Sequence, residues 1–498
     1  MSAENLPDED DVPPLTDRLL KGSALMIAMR WSVRLLGLAS TAILARLLLP
    51  EDFGVIGLAI ILVEFIQSVT DVGTVMALIQ NTKAQRAHYD SAWTLQIFQS
   101  LLVAAVVLIC APFSGDFFGD DRVAAVLYLA AFGMVIQGFT NIGIADFRKK
   151  LQFEKDFMYT AGNRVARAIF TIALAFALRS YWAIALGNLA GTIIEVWLSY
   201  VMSKYRPRFS TSKIRELWSF SQWMLAINSM NFLLERGERF IVGHLVNATR
   251  FGYYAVGYDL AMMPTFEIVM PVIRAVDSSV ALIKHQAERL RNAVLNLLSA
   301  VMMFALPAGV GFLMIAREFV IIVLGANWLP AMPIVQAATV AAIVEIPIVV
   351  IQTILVRAGY IRALGILLVI QTVILLSAIY PVFTALGLAA VVYTKVAVTS
   401  VALIVMMIML SRESKIGVLD YLSVVYRPAI GSAVMLGALY LTETLVHWPD
   451  LPMMILKVAV GGIVYCLVVM ALWFLSGRPD GAENIVWERI IQRLTPDA

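Results

Sequence analysis

Arg30 and Arg34 lie four residues apart in an apolar run. Read as a helix rising about 1.5 Å per residue, both side chains share one face, roughly 12 and 18 Å past Gly22. A charge at the centre of a bilayer costs at least about 2.5 to 3.5 kcal/mol, so such residues normally face a cavity or a partner. Two like charges on one face repel unless an anion joins them. A diphosphate is one such anion, and the planar fork of arginine suits its oxygens. The plainer reading is neutralisation by acids on neighbouring helices, such as Glu64 or Asp71.

Further ionisable residues recur along the chain. Arg164 and Arg167, three apart, form a second cationic face near the start of another apolar run. They lie only one to two turns inside it, so snorkelling to headgroups competes with an inward orientation that would widen an anion site. Glu235, Arg236, Glu238 and Arg239 sum to zero charge, and Glu235 to Arg239 has the spacing of a helical ion pair. Self-neutralisation is the default there, and a gate is the functional alternative. Glu64, Asp71, Glu195, Asp259, Glu267, Glu345 and Lys395 stand singly in apolar stretches. A carboxylate that alternates between wet and dry surroundings can exchange protons, which makes each a candidate coupling site. A polar contact between helices is the competing account of every one of them.

No nucleotide-binding loop, zinc spacing or nucleophile elbow occurs. The four histidines, His88, His244, His285 and His447, are scattered, and Cys110 and Cys466 sit in apolar runs as small hydrophobes. Neither an enzyme, nor a bound metal, nor any cofactor is expected. The energy for any transport would come from an ion gradient, the membrane potential or consumption of the product.

The elements that position these residues follow from hydropathy. The 498 residues are 60% hydrophobic and only 15% charged, with a mean hydropathy of +0.82. Soluble domains are nearer 45 to 50% apolar and about 25% charged, so the expected class is an all-α polytopic membrane protein. A net charge of +3 without a dense basic block argues against nucleic acid and leaves lipid as the partner. Cutting the chain where charges and turn residues interrupt apolar runs gives fourteen expected spans: 22–47, 54–80, 91–112, 122–143, 159–178, 181–203, 217–246, 251–275, 289–316, 331–356, 361–380, 384–410, 428–446 and 453–475. Lys and Arg concentrate in alternate loops, among them Arg148 to Lys150, Lys204 to Arg215 and Arg412 to Arg427. By the positive-inside rule both termini are cytoplasmic. The acidic start, without a basic region and short apolar core, reads as a disordered tail rather than a secretory signal.

Aligning Phe53-Gly54 with Phe251-Gly252 superposes "AILARLLLPEDFGVIGLA" on "FIVGHLVNATRFGYYAVG" at equivalent loops, which implies a duplicated six-helix unit. Both strings are expected as outer turns, with the acids of "LLLPEDFG" in water and Gly54 permitting a tight turn. The resulting division is a tail at 1–21, an N-lobe at 22–203, a cytoplasmic linker at 204–216, a C-lobe at 217–410, two final helices within 411–475 and a cytoplasmic tail at 476–498. Pro264, Pro271 and Pro307, with Gly309 and Gly311, are expected to interrupt the eighth and ninth helices as bending points. Trp182, Trp328 and Trp448 fit an interfacial belt, and Trp31 and Trp93 fall deeper, for packing or for stacking on a sugar.

"LARLLLPEDFGVIGLAIILVEFIQSVTDVGTVMALIQ", "ERFIVGHLVNATRFGYYAVGYDLAMMP" and "VLGANWLPAMPIVQ" resemble, in that order, the bacterial polysaccharide transporters. These are the Wzx-like flippases of the multidrug/oligosaccharidyl-lipid/polysaccharide exporter superfamily. The resemblance covers about residues 20 to 410, with Glu238 where the family commonly carries Asp. It implies a V-shaped bundle of two six-helix lobes, related by a pseudo-two-fold along the membrane normal, that moves a polyprenyl-diphosphate-linked sugar unit across the bacterial inner membrane. Polysaccharide polymerase and chain-length regulator proteins are the implied protein partners. The competing readings are a cation-coupled multidrug exporter, which would have an acidic, aromatic cavity, and a non-transporting scaffold. A polymerase or ligase would need a long outer loop, which this chain lacks.

Overall fold

A computed structural model of the chain describes residues 32–477 apart from 72, 82, 151, 281–286, 358 and 415. Arg30, Trp31, the tail at 1–21 and the end from 478 lie outside the described residues. Helices follow one another as α1 (32–47), α2 (Pro50–Ser68), α3 (Thr74–Gln80), α4 (Arg86–Phe118), α5 (Arg122–Gly138), α6 (Ala145–Lys149), α7 (Phe153–Leu178) and α8 (Trp182–Met202). Then come α9 (Ile214–Leu245), α10 (Ala248–Val280), α11 (Ala287–Val323), α12 (Met332–Arg357), α13 (Ile361–Leu386), α14 (Leu388–Ser414), α15 (Val418–Leu445) and α16 (Asp450–Leu475).

Among the described residues, nine helices are long and apolar enough to cross a membrane, or ten if Arg122–Gly138 and Ile142–Lys149, bent by 68°, form one span. Exposed apolar side chains such as Leu419, Leu445 and Leu475 give these helices a surface suited to lipid. The chain is an all-α, multi-pass membrane protein. The expected fourteen spans add α1, α2, α9 and α10 to those ten. Glu51, Asp52 and Glu64 set α2 apart from the more uniformly apolar helices.

Two compact units divide the chain. The first comprises residues 1–49, 62–116 and 121–229. In it the expected span 54–80 is broken. The Asp71 carboxylate accepts from the Gly73 amide at 2.8 Å, and Gly73, with φ +63°, turns the chain into α3 through a left-handed conformation that favours glycine. Trp93 is buried among Ala77, Leu78, Ala92, Ile97 and Ile142, with the Phe209 ring centred 4.9 Å away, so its role is packing. The expected linker is a strap along α4. The Arg208 amide and the Tyr205 hydroxyl donate to Asp90 at 2.8 and 2.6 Å, the Ser210 amide to Thr94 at 2.9 Å and the Lys213 amide to Ser91 at 3.0 Å. Burial first, and then the bond to Asp90, raise the Tyr205 hydroxyl above its ordinary pKa, which keeps it protonated as a donor.

The second unit comprises residues 50–61, 117–120 and 230–498. Here α10 packs on α12, α12 on α14, and α11 on α15 and α16, around Leu298, Val301, Ile351 and Met406. The string "PEDFG" departs from its expected role as a turn. Pro50 opens α2, where its missing amide hydrogen is no loss, and Glu51 and Asp52 occupy the first turn, where acids complement the helix dipole. Asp52 is buried rather than in water. Gly54 lies inside α2, and a Cβ there would meet the Ala248 carbonyl oxygen at 1.7 Å. A Cβ on Gly252 would meet the Pro50 carbonyl oxygen at 1.9 Å. The two glycines aligned in the sequence therefore make reciprocal backbone contacts where α2 and α10 cross.

The expected interruptions of α10 and α11 are absent. Both helices run on through Pro264, Pro271 and Pro307, and Gly309 serves close approach instead, since its Cβ would lie 2.4 Å from Ile343. Trp328, expected in an interfacial belt, is fully buried, with the rings of Phe53 and Tyr253 edge-on to it.

Candidate functional site

Four helices of the second unit bring one cluster of charges together. Lys395, alone in the apolar sequence of α14, places its Nζ 3.4 Å from Glu238 Oε2 on α9 and 3.3 Å from Glu345 Oε1 on α12, and donates to the Tyr258 hydroxyl of α10. Tyr254, one turn before Tyr258, donates its hydroxyl to Glu238 Oε1 at 2.6 Å. Glu238 is thus buried but doubly engaged, as a buried carboxylate must be. The Lys395 Nζ lies 4.8 Å, and the Arg239 guanidinium 5.0 Å, from the centre of the Tyr258 ring, within the range of cation–π attraction.

Arg239 reaches Asp259 on α10 at 2.5 Å. This corrects the expected pairing with Glu235, which is exposed. The shift has a local reason: α10 offers both a carboxylate and the aromatic face of Tyr258, whereas Glu235 offers a carboxylate alone. Glu238, Asp259 and Glu345 against Arg239 and Lys395 leave the cluster one negative charge in excess.

A cavity of about 600 Å³ opens on this cluster. Arg239, Glu345 and Lys395 line it with the neutral hydrogen-bonding side chains of Asn231, Gln352 and Gln371. Its size falls within the usual range for small-molecule sites. Cations, carboxylates and amides facing one space can hold a ligand that is both anionic and hydroxyl-rich, and a lysine shared by two carboxylates can transfer its pairing from one to the other.

The other expected site residues are distributed differently. Arg34 is half-buried on α1, and Arg164 is exposed on α7. Arg167 lies 3.5 Å from Glu195, whose carboxylate also accepts from Asn163 at 2.9 Å. Asp71 accepts from Asn228 at 3.2 Å in addition to closing its turn. Glu64 and Glu267 are half-buried on α2 and α10. Of the residues that stand singly in sequence, Asp259, Glu345 and Lys395 meet in the cluster, and Glu195 meets Arg167.

One buried ionic group was not anticipated. Lys457 of α16, 1% exposed, donates to Glu318 at 2.7 Å, to the Met314 carbonyl at 3.0 Å and to Glu443 at 3.2 Å. The signal was present, since Lys457 is a lone cation in an apolar run, as Lys395 is.

A family model described as "Polysaccharide biosynthesis protein" matches residues 43–333, more than half of the chain. The lipopolysaccharide biosynthesis protein WzxC of Escherichia coli (strain K12) is 22% identical over 318 residues, 62% of this chain and 64% of that protein. The chain thus spans less than two thirds of that relative's length. An uncharacterized membrane protein in the cps region of Klebsiella pneumoniae is 23% identical over 450 residues, 88% of this chain and 92% of that one. Among solved structures, the lipid II flippase MurJ in an inward closed conformation superposes with a TM-score of 0.71 at 14% identity, over 90% of this chain and 99% of that one, and so shares the fold. With three ordered motifs, a helical membrane fold of this type and a family match across more than half its length, the chain belongs to the polysaccharide biosynthesis protein family.

Proposed function

We propose that this protein is a flippase that moves polyprenyl-diphosphate-linked oligosaccharide repeat units across the bacterial inner membrane, by alternating access, for synthesis of exopolysaccharide, capsule or lipopolysaccharide. The observation that carries the reading is the 600 Å³ cavity at Lys395 and Arg239, whose amides suit sugar hydroxyls and whose linked charges suit a coupling element, inside a membrane-spanning unit. In this reading Arg30 and Arg34 hold the diphosphate, and Arg164 and Arg167 extend that cationic surface once Glu195 releases Arg167. Glu238, Glu345 and Lys395 act as the coupling element, and Glu64, Asp71, Glu235, Arg239, Asp259 and Glu267 are gate or coupling residues. Both termini are cytoplasmic, and the product passes to polymerase and chain-length regulator proteins.

A second reading, cation-coupled drug export, is favoured by the cluster's excess of one carboxylate. One assay separates the two. Purified protein in liposomes holding a labelled polyprenyl-diphosphate oligosaccharide is followed by cleavage with an impermeant glycosidase. The flippase reading expects exposure well above empty liposomes, slowed roughly tenfold or more in Arg34→Ala, the effect of losing one charge-assisted contact. Exposure equal to empty liposomes, under a gradient of either sign and with several sugar units, would remove it in favour of drug export.

A further inference from the structure

A second cavity, of about 520 Å³, lies between α11 and α15 and is closed by Ser476, just beyond α16. It shares no lining residue with the cavity at Lys395. Helix α11 presents Asn292, Asn296 and Ser299 to it, at the i, i+4 and i+7 spacing of a single stripe. Helix α15 presents Ser423, Val424 and Arg427. Arg427 is 5% exposed and is the one formally charged residue of the lining among the described residues.

The backbone adds a further group. Pro428 lies inside α15 and has no amide hydrogen, so the carbonyl of Val424, four residues earlier, receives no helical hydrogen bond at the cavity wall. The lining therefore brings together a guanidinium, two carboxamides, the hydroxyls of Ser299, Ser423, Tyr426 and Ser476, and the residue whose carbonyl Pro428 frees. One positive charge selects an anion, its fork suits phosphate oxygens, and the remaining groups suit hydroxyls. A water-filled structural seam is the competing account, and the lipid probes below separate the two.

The surroundings indicate where the anion comes from. Leu422, Tyr426, Ile430 and Leu475, on the same turns of α15 and α16, are exposed apolar side chains. Tyr426 lines the cavity and bonds Ser476, which lines it too, at 2.8 Å, so the polar space borders a lipid-suited surface. A soluble phosphate would need no such border, whereas a lipid places its phosphate beside its own acyl chains.

We propose that this cavity seats the phosphate-bearing headgroup of an anionic glycerophospholipid, with the phosphate on Arg427 and the headgroup hydroxyls on Asn292, Asn296, Ser299 and the Val424 carbonyl. The proposal does not depend on the flippase reading. It is tested on the full-length chain, purified in detergent, by native mass spectrometry with dioleoylphosphatidylglycerol, dioleoylphosphatidylcholine and inorganic phosphate as separate probes. One saturable phosphatidylglycerol is expected, bound more tightly than phosphatidylcholine and roughly tenfold more weakly in Arg427→Gln, the effect of losing a charge-assisted contact. Asn296 is exposed, so Asn296→Leu keeps the fold while replacing a carboxamide of the lining by an apolar group, and it is expected to weaken phosphatidylglycerol binding with an unchanged melting profile. Equal phosphatidylglycerol binding by wild type and both variants, equal binding of the two lipids, or displacement of the lipid by inorganic phosphate at the same concentration would each overturn the proposal.

Discussion

Lys395 illustrates how one residue can organise a membrane interior. Its ammonium stands between two carboxylates on different helices, and each would be an expensive isolated charge without it. Lys395→Met is therefore expected to destabilise the protein by about 3 kcal/mol or more, the scale for breaking a buried ion pair from one side, as read by thermal unfolding in detergent. Adding Glu345→Gln to that variant should recover part of the loss, because a neutral amide no longer needs the cation. A double variant no more stable than Lys395→Met alone would show that the pairing is incidental. Lys457→Met should cost a similar amount, since it leaves Glu318, 4% exposed, without its ammonium. Lys395 stood out as a lone cation in an apolar run, and Lys457 carries the same signal. Which acids they meet was not legible, because Glu238 and Glu318 are more than a hundred residues distant in the chain.

At the scale of elements, the crossing of α2 and α10 rests on atoms that are missing. Gly54 and Gly252 let two backbones touch, the small-residue device by which membrane helices pack where no hydrophobic effect drives them together. Gly54→Ala is expected to destabilise by about 1 to 3 kcal/mol through overpacking. Gly37 provides the internal control. A Cβ there meets nothing within 4 Å, so Gly37→Ala on α1 should be neutral or stabilising by up to about 1 kcal/mol, its helix-propensity gain. Equal melting shifts for the two substitutions would contradict the packing account. The sequence pointed to this place through the repeated Phe-Gly pair, yet suggested a turn. A glycine inside a helix and a glycine in a tight turn are the same letter, and only the neighbouring helix tells them apart.

Among the described residues, exposed apolar side chains lie on the spanning helices, and the ion pairs of Lys395 and Lys457 lie between helices of the second unit. At this scale the glycosidase assay carries a further expectation. If the lysine-linked carboxylates couple transport, Glu238→Gln should slow exposure of the sugar while leaving the protein's retention of the labelled lipid within about twofold, since coupling and binding are separable terms. Equal loss of retention and of exposure would make Glu238 a binding residue instead.

Membrane class, helical architecture and family followed from the sequence alone, because hydropathy over about 20 residues, the positions of basic loops and short ordered motifs are local properties of a chain. The tertiary structure decided the rest: that residues 205–213 bind α4, that Arg239 chooses Asp259 over Glu235, and that Lys395 and Lys457 each gather two acids. The physical reason is common to all three. An apolar helix states that it will be buried in lipid or protein, but its partner is chosen by shape and charge across gaps of tens to hundreds of residues, and no local pattern records that choice.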